Sequence, residues 1–407
     1  MHECHGHLGR ARRLVQPITV VPLFVVTVVN SFAQGGAAHW TGTWAVSPTR
    51  GDASHLTQKT FRQIVHASID GEMTRLQISN LYGTTPLTIE DVHIALRASG
   101  SSIVPSSDHP VKFRGASRVI IKPGTAAVSD ASEFHVRPLS DVAVSFYLPA
   151  QEGPTTFHGA GLQTNYIADG DVSGHDTLAN AKTTGSYYFL TNLDVINSSA
   201  LGAVVTLGAS ITDGYSSDPD SNRRWPNDLA QRLVHAGLKV GVLNQGISGN
   251  RLLSAGSGDS AEDRFDRDVL QQPGVRWVVF SDEPINDLGS AKVPPSSGQL
   301  IAGLKRLIAR AHRSQIKFYC STLTPYEGAE YWSEAGEVAR EQINAFIRGG
   351  ASGCDGIIDE DDATHDPAHP TRYLPAFDIG DHLHPNTAGL QAIADAVDLS
   401  LLSAITR

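Results

Sequence analysis

Ala203-Val204-Val205-Thr206-Leu207-Gly208-Ala209-Ser210-Ile211-Thr212-Asp213-Gly214 is an apolar run that breaks into a Gly-Ala-Ser turn. That pattern predicts a buried strand handing over to a helix. Further apolar strand candidates at 240–244, 277–280, 316–321 and 356–359 alternate with helical stretches at 224–236, 298–314, 336–348 and 387–404. Alternation of this kind predicts an α/β region with a parallel sheet covered on both faces. Ser210 and the segments around Gly249, Asn286 and the residues after Asp359 follow the C-terminal ends of these strands, where such sheets place their sites.

Near the C-terminus, Asp381-His382-Leu383-His384-Pro385-Asn386 supplies the complement to Ser210. A serine hydroxyl is a poor nucleophile until a base takes its proton, and the base needs a carboxylate to fix its tautomer. Asp381 and His384, three residues apart, can provide both from one short loop. His382 competes as the base, and Asp378 is the next candidate for the acid. Two further segments offer hydrogen-bond donors for a tetrahedral oxyanion. Asn244-Gln245-Gly246-Ile247-Ser248-Gly249-Asn250 is a small-residue turn after an apolar run, and Glu283-Pro284-Ile285-Asn286-Asp287 carries an asparagine amide. The set predicts a serine hydrolase.

These four blocks, in this order and spacing, resemble the GDSL/SGNH hydrolase family of esterases and lipases. The resemblance implies a flavodoxin-like, three-layer hydrolase domain. It also implies Ser210 as nucleophile, His384 as base, Asp381 as orienting acid, and an oxyanion hole built from the N–H groups of Ser210 and Gly249 and the side chain of Asn286. It implies no metal and no cofactor. Two positions depart from the family pattern: Ala209 stands where Gly-Asp-Ser has its aspartate, and Pro284 stands where Gly-x-Asn-Asp has its glycine. Proline fixes φ and disfavours helix in the residue before it, so Glu283-Pro284 is expected to be extended.

The N-terminal half has a different period. Thr74–Asn80 and 141–147 alternate polar and apolar residues, 92–96 and Arg118–Ile121 add short strands, and Gly83, Pro86, Pro110, Pro123-Gly124 and Gly153-Pro154 punctuate them. Short period-two strands predict a β-sandwich of jelly-roll type. Secreted members of the same family, some linked to xylan or other plant polysaccharides, carry such a β-domain before the hydrolase domain. This chain is similar to them at Trp40-Thr41-Gly42-Thr43-Trp44, at Phe61–His66 and at Ile78–Gly83. The expected organisation is a signal peptide at 1–33, a β-sandwich domain at 34–198 and a catalytic domain at 199–407. With no catalytic block in 34–198, loss of that domain is expected to damage solubility or polymer hydrolysis more than chemistry on a small ester, unless one of its loops, for example around His158, completes the pocket.

Composition sets the outer limits. The 407 residues are 41% hydrophobic and 18% charged, with a formal charge of −10. An acidic chain does not favour nucleic acid or anionic membrane as a partner. Arg10, Arg12 and Arg13 precede the apolar segment 18–29, and Ser31-Phe32-Ala33 has the small residues of a cleavage site, so the protein is expected to be secreted or periplasmic, with no stable membrane association after signal removal. Loss of 1–33 takes Glu3 and those arginines and leaves a charge of about −12. Cys4 leaves as well. Cys320 and Cys354 fall near opposite ends of two strand candidates, which predicts two buried free thiols.

Other residues have competing readings. Asp359-Glu360-Asp361-Asp362 with His365, Asp366 and His369 resembles a metal cluster, but acidic loops are commonly solvated and the proline-broken spacing gives no helical i, i+4 ligand pair. Asp213 and Arg223-Arg224-Trp225-Pro226 read as structural, Tyr326, Tyr331 and Trp332 as pocket walls or loop packing, and His66 and His158 as core or surface histidines able to face the cleft. The predicted function is a secreted serine carboxylester hydrolase acting on short acyl esters, acetyl above all, carried by small molecules or polysaccharides. A lipase or arylesterase of the same family, a glycan-binding protein on a disabled scaffold, and a metal-dependent hydrolase are the alternatives.

Overall fold

The computed structural model describes residues 1–3, 39–52 and 56–403. The expected signal peptide lies almost wholly outside these residues. Ala38–Arg407 makes one compact unit.

The C-terminal half is built on a five-stranded sheet ordered Val240–Gly246, Gly202–Gly208, Val275–Phe280, Lys317–Ser321, Gly356–Ile358, with every neighbouring pair parallel. Counted along the chain this is strand order 2-1-3-4-5, which puts a topological switch point between Gly202–Gly208 and Val275–Phe280. The period-two rule divides each strand between two cores. Val205, Leu207, Val278 and Phe280 join one apolar cluster with the helices Ser297–Arg313 and Glu334–Arg348. Val204, Trp277, Val279 and Tyr319 join another with the helices Trp225–His235 and Thr387–Asp395. Helices therefore cover both faces.

Local signals set the helix ends. Ser296 and Gln299 form a capping box for the long helix that follows, satisfying two donors that the first turn leaves unpaired. Asn386 caps the last helix through the N–H groups of Ala388 and Gly389. That helix ends at Asp395, and residues Leu399–Leu402 form a 3-10 turn. The periodicity at 387–404 thus overruns the helix, because both segments bury apolar residues in the same core.

The N-terminal half is β-rich. Trp40–Ala45, Leu190–Ile196, Met73–Ser79 and Ala126–Val128 form a four-stranded sheet; Lys182–Thr184, Asn165–Asp169, Lys59–Ala67, Ser140–Leu148 and Leu87–Ser99 form the spine of an eight-stranded one. The pairings within these sheets are antiparallel; residues of both sheets share one apolar core, and Ile64, Ala95, Ala143 and Tyr166 of the larger sheet belong to a second, smaller one. A small third sheet pairs Thr155–His158 with Thr49–Gly51 and Tyr187–Tyr188.

Backbone and side-chain bonds tie the two halves together. Gly42 N–H donates to the Pro273 carbonyl (2.9 Å) and Val242 N–H to Ser68 Oγ (2.9 Å). Ser47 Oγ donates to Asp268 Oδ2 at 2.6 Å and lies 2.7 Å from Gln245 Oε1.

Cys320 and Cys354 form a disulfide, with Cα atoms 5.8 Å apart, which corrects the expectation of free thiols. That expectation ran Cys354 in extended register with the strand after it. The strand starts only at Gly356, and the preceding turn, with Gly353 at φ +84°, brings Cys354 back towards its partner.

Candidate active site

Ser210 is the first residue of a one-turn helix, Ser210–Asp213, directly after the strand Gly202–Gly208. Ala209, the residue before that helix, has no side chain able to cap it. The carboxylate of Asp282 does so from the end of the third strand of the sheet. Its Oδ1 accepts the Ala209 N–H (2.8 Å) and the Thr212 hydroxyl (2.8 Å), and its Oδ2 accepts the Ile211 N–H (2.9 Å). The N–H between them, that of Ser210, donates to no oxygen among the described residues.

His384 and Asp381 come from the loop before the last helix. His384 Nδ1 lies 2.7 Å from Asp381 Oδ2, and His384 Nε2 lies 2.8 Å from Ser210 Oγ. A carboxylate only accepts, so Nδ1 carries the proton and Nε2 is left free to accept one. Asp381 Oδ1 also accepts the N–H groups of Leu383 (3.0 Å) and His384 (2.9 Å). Burial pushes the Asp381 carboxyl up, but its bonds from the His384 ring and from the N–H groups of His384 and Leu383 outweigh that and hold it below the usual carboxylate value. Tyr215, 47% exposed, packs against the His384 ring at a tilt of 44° with centroids 4.4 Å apart. The rival pair is separate: His382 Nδ1 is held by Asp378 Oδ2 at 2.6 Å, on an exposed side chain.

The other oxyanion candidates, Gly249 and Asn286, lie on neighbouring segments joined by a bond from Asn286 to Asn250. Gly249 sits at φ +78°, a conformation glycine adopts without steric cost, and its N–H also donates to no oxygen among the described residues. Asn286 is 6% exposed. Its Nδ2 donates to the Asn250 carbonyl (2.9 Å), and its Oδ1 accepts from Tyr331 Oη (3.0 Å). Together these bonds fix the amide plane and leave the second N–H of Nδ2 for a further acceptor. Tyr331, read from sequence as pocket wall or packing, thus touches a candidate donor directly.

Glu283-Pro284 is not extended. Both residues lie in the first turn of the helix Glu283–Gly289. A proline there loses no hydrogen bond, because first-turn N–H groups have no partner inside the helix, so Pro284 is compatible with a helix that carries Asn286 and Asp287. The Asp287 carboxylate accepts the N–H groups of Leu252 (2.6 Å) and Leu253 (3.2 Å), just beyond the Gly249 turn.

Below the site lies a buried ionic cluster that the sequence did not indicate. Arg264, fully buried, donates to the carbonyls of Gln245 (2.7 Å) and Gly208 (3.1 Å), to Glu283 Oε1 (2.8 Å) and to Asp268 Oδ2 (3.1 Å). One side chain therefore ties together the three segments that lead into Ser210, Gly249 and Asn286. Burial is the main cause that pushes Glu283 up to about 8, helped by Asp282 and Asp287 and opposed by Arg264. No motif marks Arg264, since a single arginine in a short helix reads as solvated; Asp282 could have been suspected only from the missing carboxylate at 209.

The acidic segment after 358 has other partners. Asp359 pairs with Arg348, and Asp361 with both Arg340 and Arg348. Arginine occupies the oxygens a cation would need. His66 is held within the β-region by Asp141 at 2.7 Å, whereas His158 reaches Asp213 in the C-terminal half.

Residues 206–392 match the family model described as GDSL-like Lipase/Acylhydrolase family. Among solved structures, a GDSL-like lipase from Bacteroides thetaiotaomicron aligns at 17% identity over 50% of this chain and 90% of its own, with a TM-score of 0.40. A variant of an acetyl xylan esterase from Geobacillus stearothermophilus aligns at 22% identity over 51% of this chain and 98% of its own, with a TM-score of 0.38. A search of curated proteins finds no match.

Proposed function

Because residues 206–392 match the model of the GDSL-like lipase/acylhydrolase family, we propose that the chain is a serine carboxylester hydrolase with Ser210 as nucleophile, His384 as general base and Asp381 as the acid that orients it. The observation that carries this reading is the continuous hydrogen-bond chain from Asp381 through His384 to Ser210, with links of 2.7 and 2.8 Å. In the first half-reaction Ser210 Oγ attacks the ester carbonyl while its proton passes to His384 Nε2. The N–H groups of Ser210 and Gly249 and the free N–H of Asn286 Nδ2 receive the oxyanion. His384 then protonates the leaving alcohol, and water repeats the sequence on the acyl-enzyme.

The proposed substrates are short-chain acyl esters, acetyl above all, on small molecules or polysaccharides. The lack of a long apolar lid segment in the sequence supports the short acyl group. The Cys320–Cys354 disulfide supports export to an oxidising compartment. The antiparallel sheets that precede the hydrolase half support a jelly-roll-type domain over 34–198.

The direct test is labelling by a fluorophosphonate together with turnover of a series of p-nitrophenyl esters from acetyl upward and of acetylated xylan. Wild-type protein is expected to be labelled and to prefer acetyl, and Ser210→Ala to be neither labelled nor active. Substantial turnover by Ser210→Ala overturns the mechanism, and preference for long acyl chains makes the protein a lipase.

A further inference from the structure

A buried side chain of the β-region reaches the helix that Ser210 opens. His158 ends the strand Thr155–His158, and its ring is 3% exposed between the two halves of the chain. Nδ1 lies 2.8 Å from the Ser47 carbonyl and Nε2 lies 3.1 Å from Asp213 Oδ1. Both partners are acceptors, and a neutral imidazole carries only one N–H. The ring bridges the Ser47 carbonyl and the Asp213 carboxylate.

Asp213 closes the helix that Ser210 opens, and it is buried. Its other oxygen, Oδ2, accepts the Ser248 N–H (2.9 Å) and the Ser248 hydroxyl (2.7 Å). Ser248 directly precedes Gly249. The backbone beneath is tight as well: a Cβ at Gly246 would lie 2.3 Å from the Asp213 N atom. The Asp213 carboxylate thus clamps the nucleophile helix to the turn that presents the Gly249 N–H, and His158 holds the carboxylate. Without His158, Asp213 would be a buried charge with donors on one side only, which favours its reorientation or neutralisation.

We propose that His158, a residue of the β-region, is a positioning residue for the oxyanion hole, acting through Asp213 and Ser248 on the Gly249 N–H. The inference rests on the serine-hydrolase reading above. It gives the β-region, through His158, a part in chemistry on a small ester. The ordinary alternative is that His158 merely seals the boundary between the halves, in which case stability and activity would fall together.

Two near-isosteric substitutions separate these roles. In His158→Asn the amide nitrogen takes the place of Nδ1, keeping the Ser47 contact and losing Asp213. In His158→Gln it reaches the place of Nε2, keeping Asp213. With p-nitrophenyl acetate, His158→Asn is expected to lose about 10–10²-fold in kcat with KM within about threefold, as a slightly misplaced catalytic donor does. His158→Gln is expected to stay within about threefold of wild-type kcat at a similar Tm, since it preserves the Asp213 contact. Adding Ser248→Ala to His158→Asn should cost less than it does alone, because both act on one link.

Wild-type kcat for His158→Asn, or parallel losses of kcat and Tm in both variants, overturns the inference. If His158→Asn does not fold, Asp213→Asn carries the test: a comparable kcat loss supports the inference and wild-type kcat overturns it. Ser210→Ala measured alongside keeps the two claims apart. An active Ser210→Ala removes the serine-hydrolase reading itself, whereas an inactive Ser210→Ala beside a fully active His158→Asn removes only the role of His158.

Discussion

The Asp282 carboxylate accepts the Ala209 N–H at 2.8 Å, so a residue from one strand end caps the Ser210 turn at the end of another. Its second oxygen takes the Ile211 N–H, and the Ser210 N–H between them has no acceptor among the described residues. Asp282→Ala is expected to lower kcat by about 10–10²-fold with little change in KM, since the turn loses its anchor while the triad remains. Steady-state kinetics with a circular-dichroism check of folding decides it; unchanged kcat would mean that the strand alone aims the turn.

Asn286 is expected to act as an oxyanion donor with its amide held by Asn250 and Tyr331. Asn286→Ala should cost about 10²–10³-fold in kcat, the usual size for one such donor. Tyr331→Phe removes only the bond that orients the amide and should cost about tenfold or less. Pro284→Gly should change kcat less still and lower stability by about 1 kcal/mol, because proline in a first helical turn limits the unfolded chain. A silent Asn286→Ala beside an essential Ser210 would leave the hole with backbone donors alone.

The two adjacent His–Asp pairs should behave oppositely. Asp381→Asn spoils the His384 tautomer and should cost about 10⁴-fold in kcat, as in serine proteases. Asp378→Asn acts on exposed His382 and should leave kcat close to wild type. Reversal of this order in kinetics would move the acid role to Asp378.

Glu283 makes stability depend on pH. Its carboxyl is raised in the folded protein from 4.5 to about 8, first by burial and then by Asp282 and Asp287, against the pull of Arg264. The folded state therefore holds a proton that the unfolded state releases. The contribution is fully present below about pH 4.5 and fades as pH rises through about 8. Thermal unfolding of Glu283→Gln should show a smaller loss of Tm between pH 5 and pH 8 than wild type. Equal slopes for the two proteins would place the proton elsewhere in the cluster.

The Cys320–Cys354 bridge closes a separation of 34 residues. Replacing both by alanine should destabilise the protein by about 2–4 kcal/mol, and kcat on a small ester should hold at temperatures where the variant stays folded. Denaturant unfolding of oxidised, reduced and mutant protein measures the first effect, and loss of kcat in the folded variant would link the bridge to the site.

The period of the apolar residues announced a parallel sheet after residue 200, and its strands lie within a few residues of their expected places. Local chemistry also led to Ser210, Gly249, Asn286, Asp381 and His384, because each sits in a short segment whose residue types have few other uses. Pro284 misled for the opposite reason. Its constraint on φ is the same in an extended segment and in a first helical turn, and only the three-dimensional course of Glu283–Gly289 separates the two.

What the sequence by itself determined was the order of strands and helices and a short set of candidate site residues, since both follow from periods and spacings within one segment. Only the tertiary structure decided what holds those groups in place. Asp282 on the Ser210 turn, Arg264 under three separate segments, His158 on Asp213 and the Cys320–Cys354 bridge all join positions far apart along the chain. A buried charge or hydrogen bond of this kind is satisfied by whatever the fold brings within about 3 Å, and no local spacing records that distance.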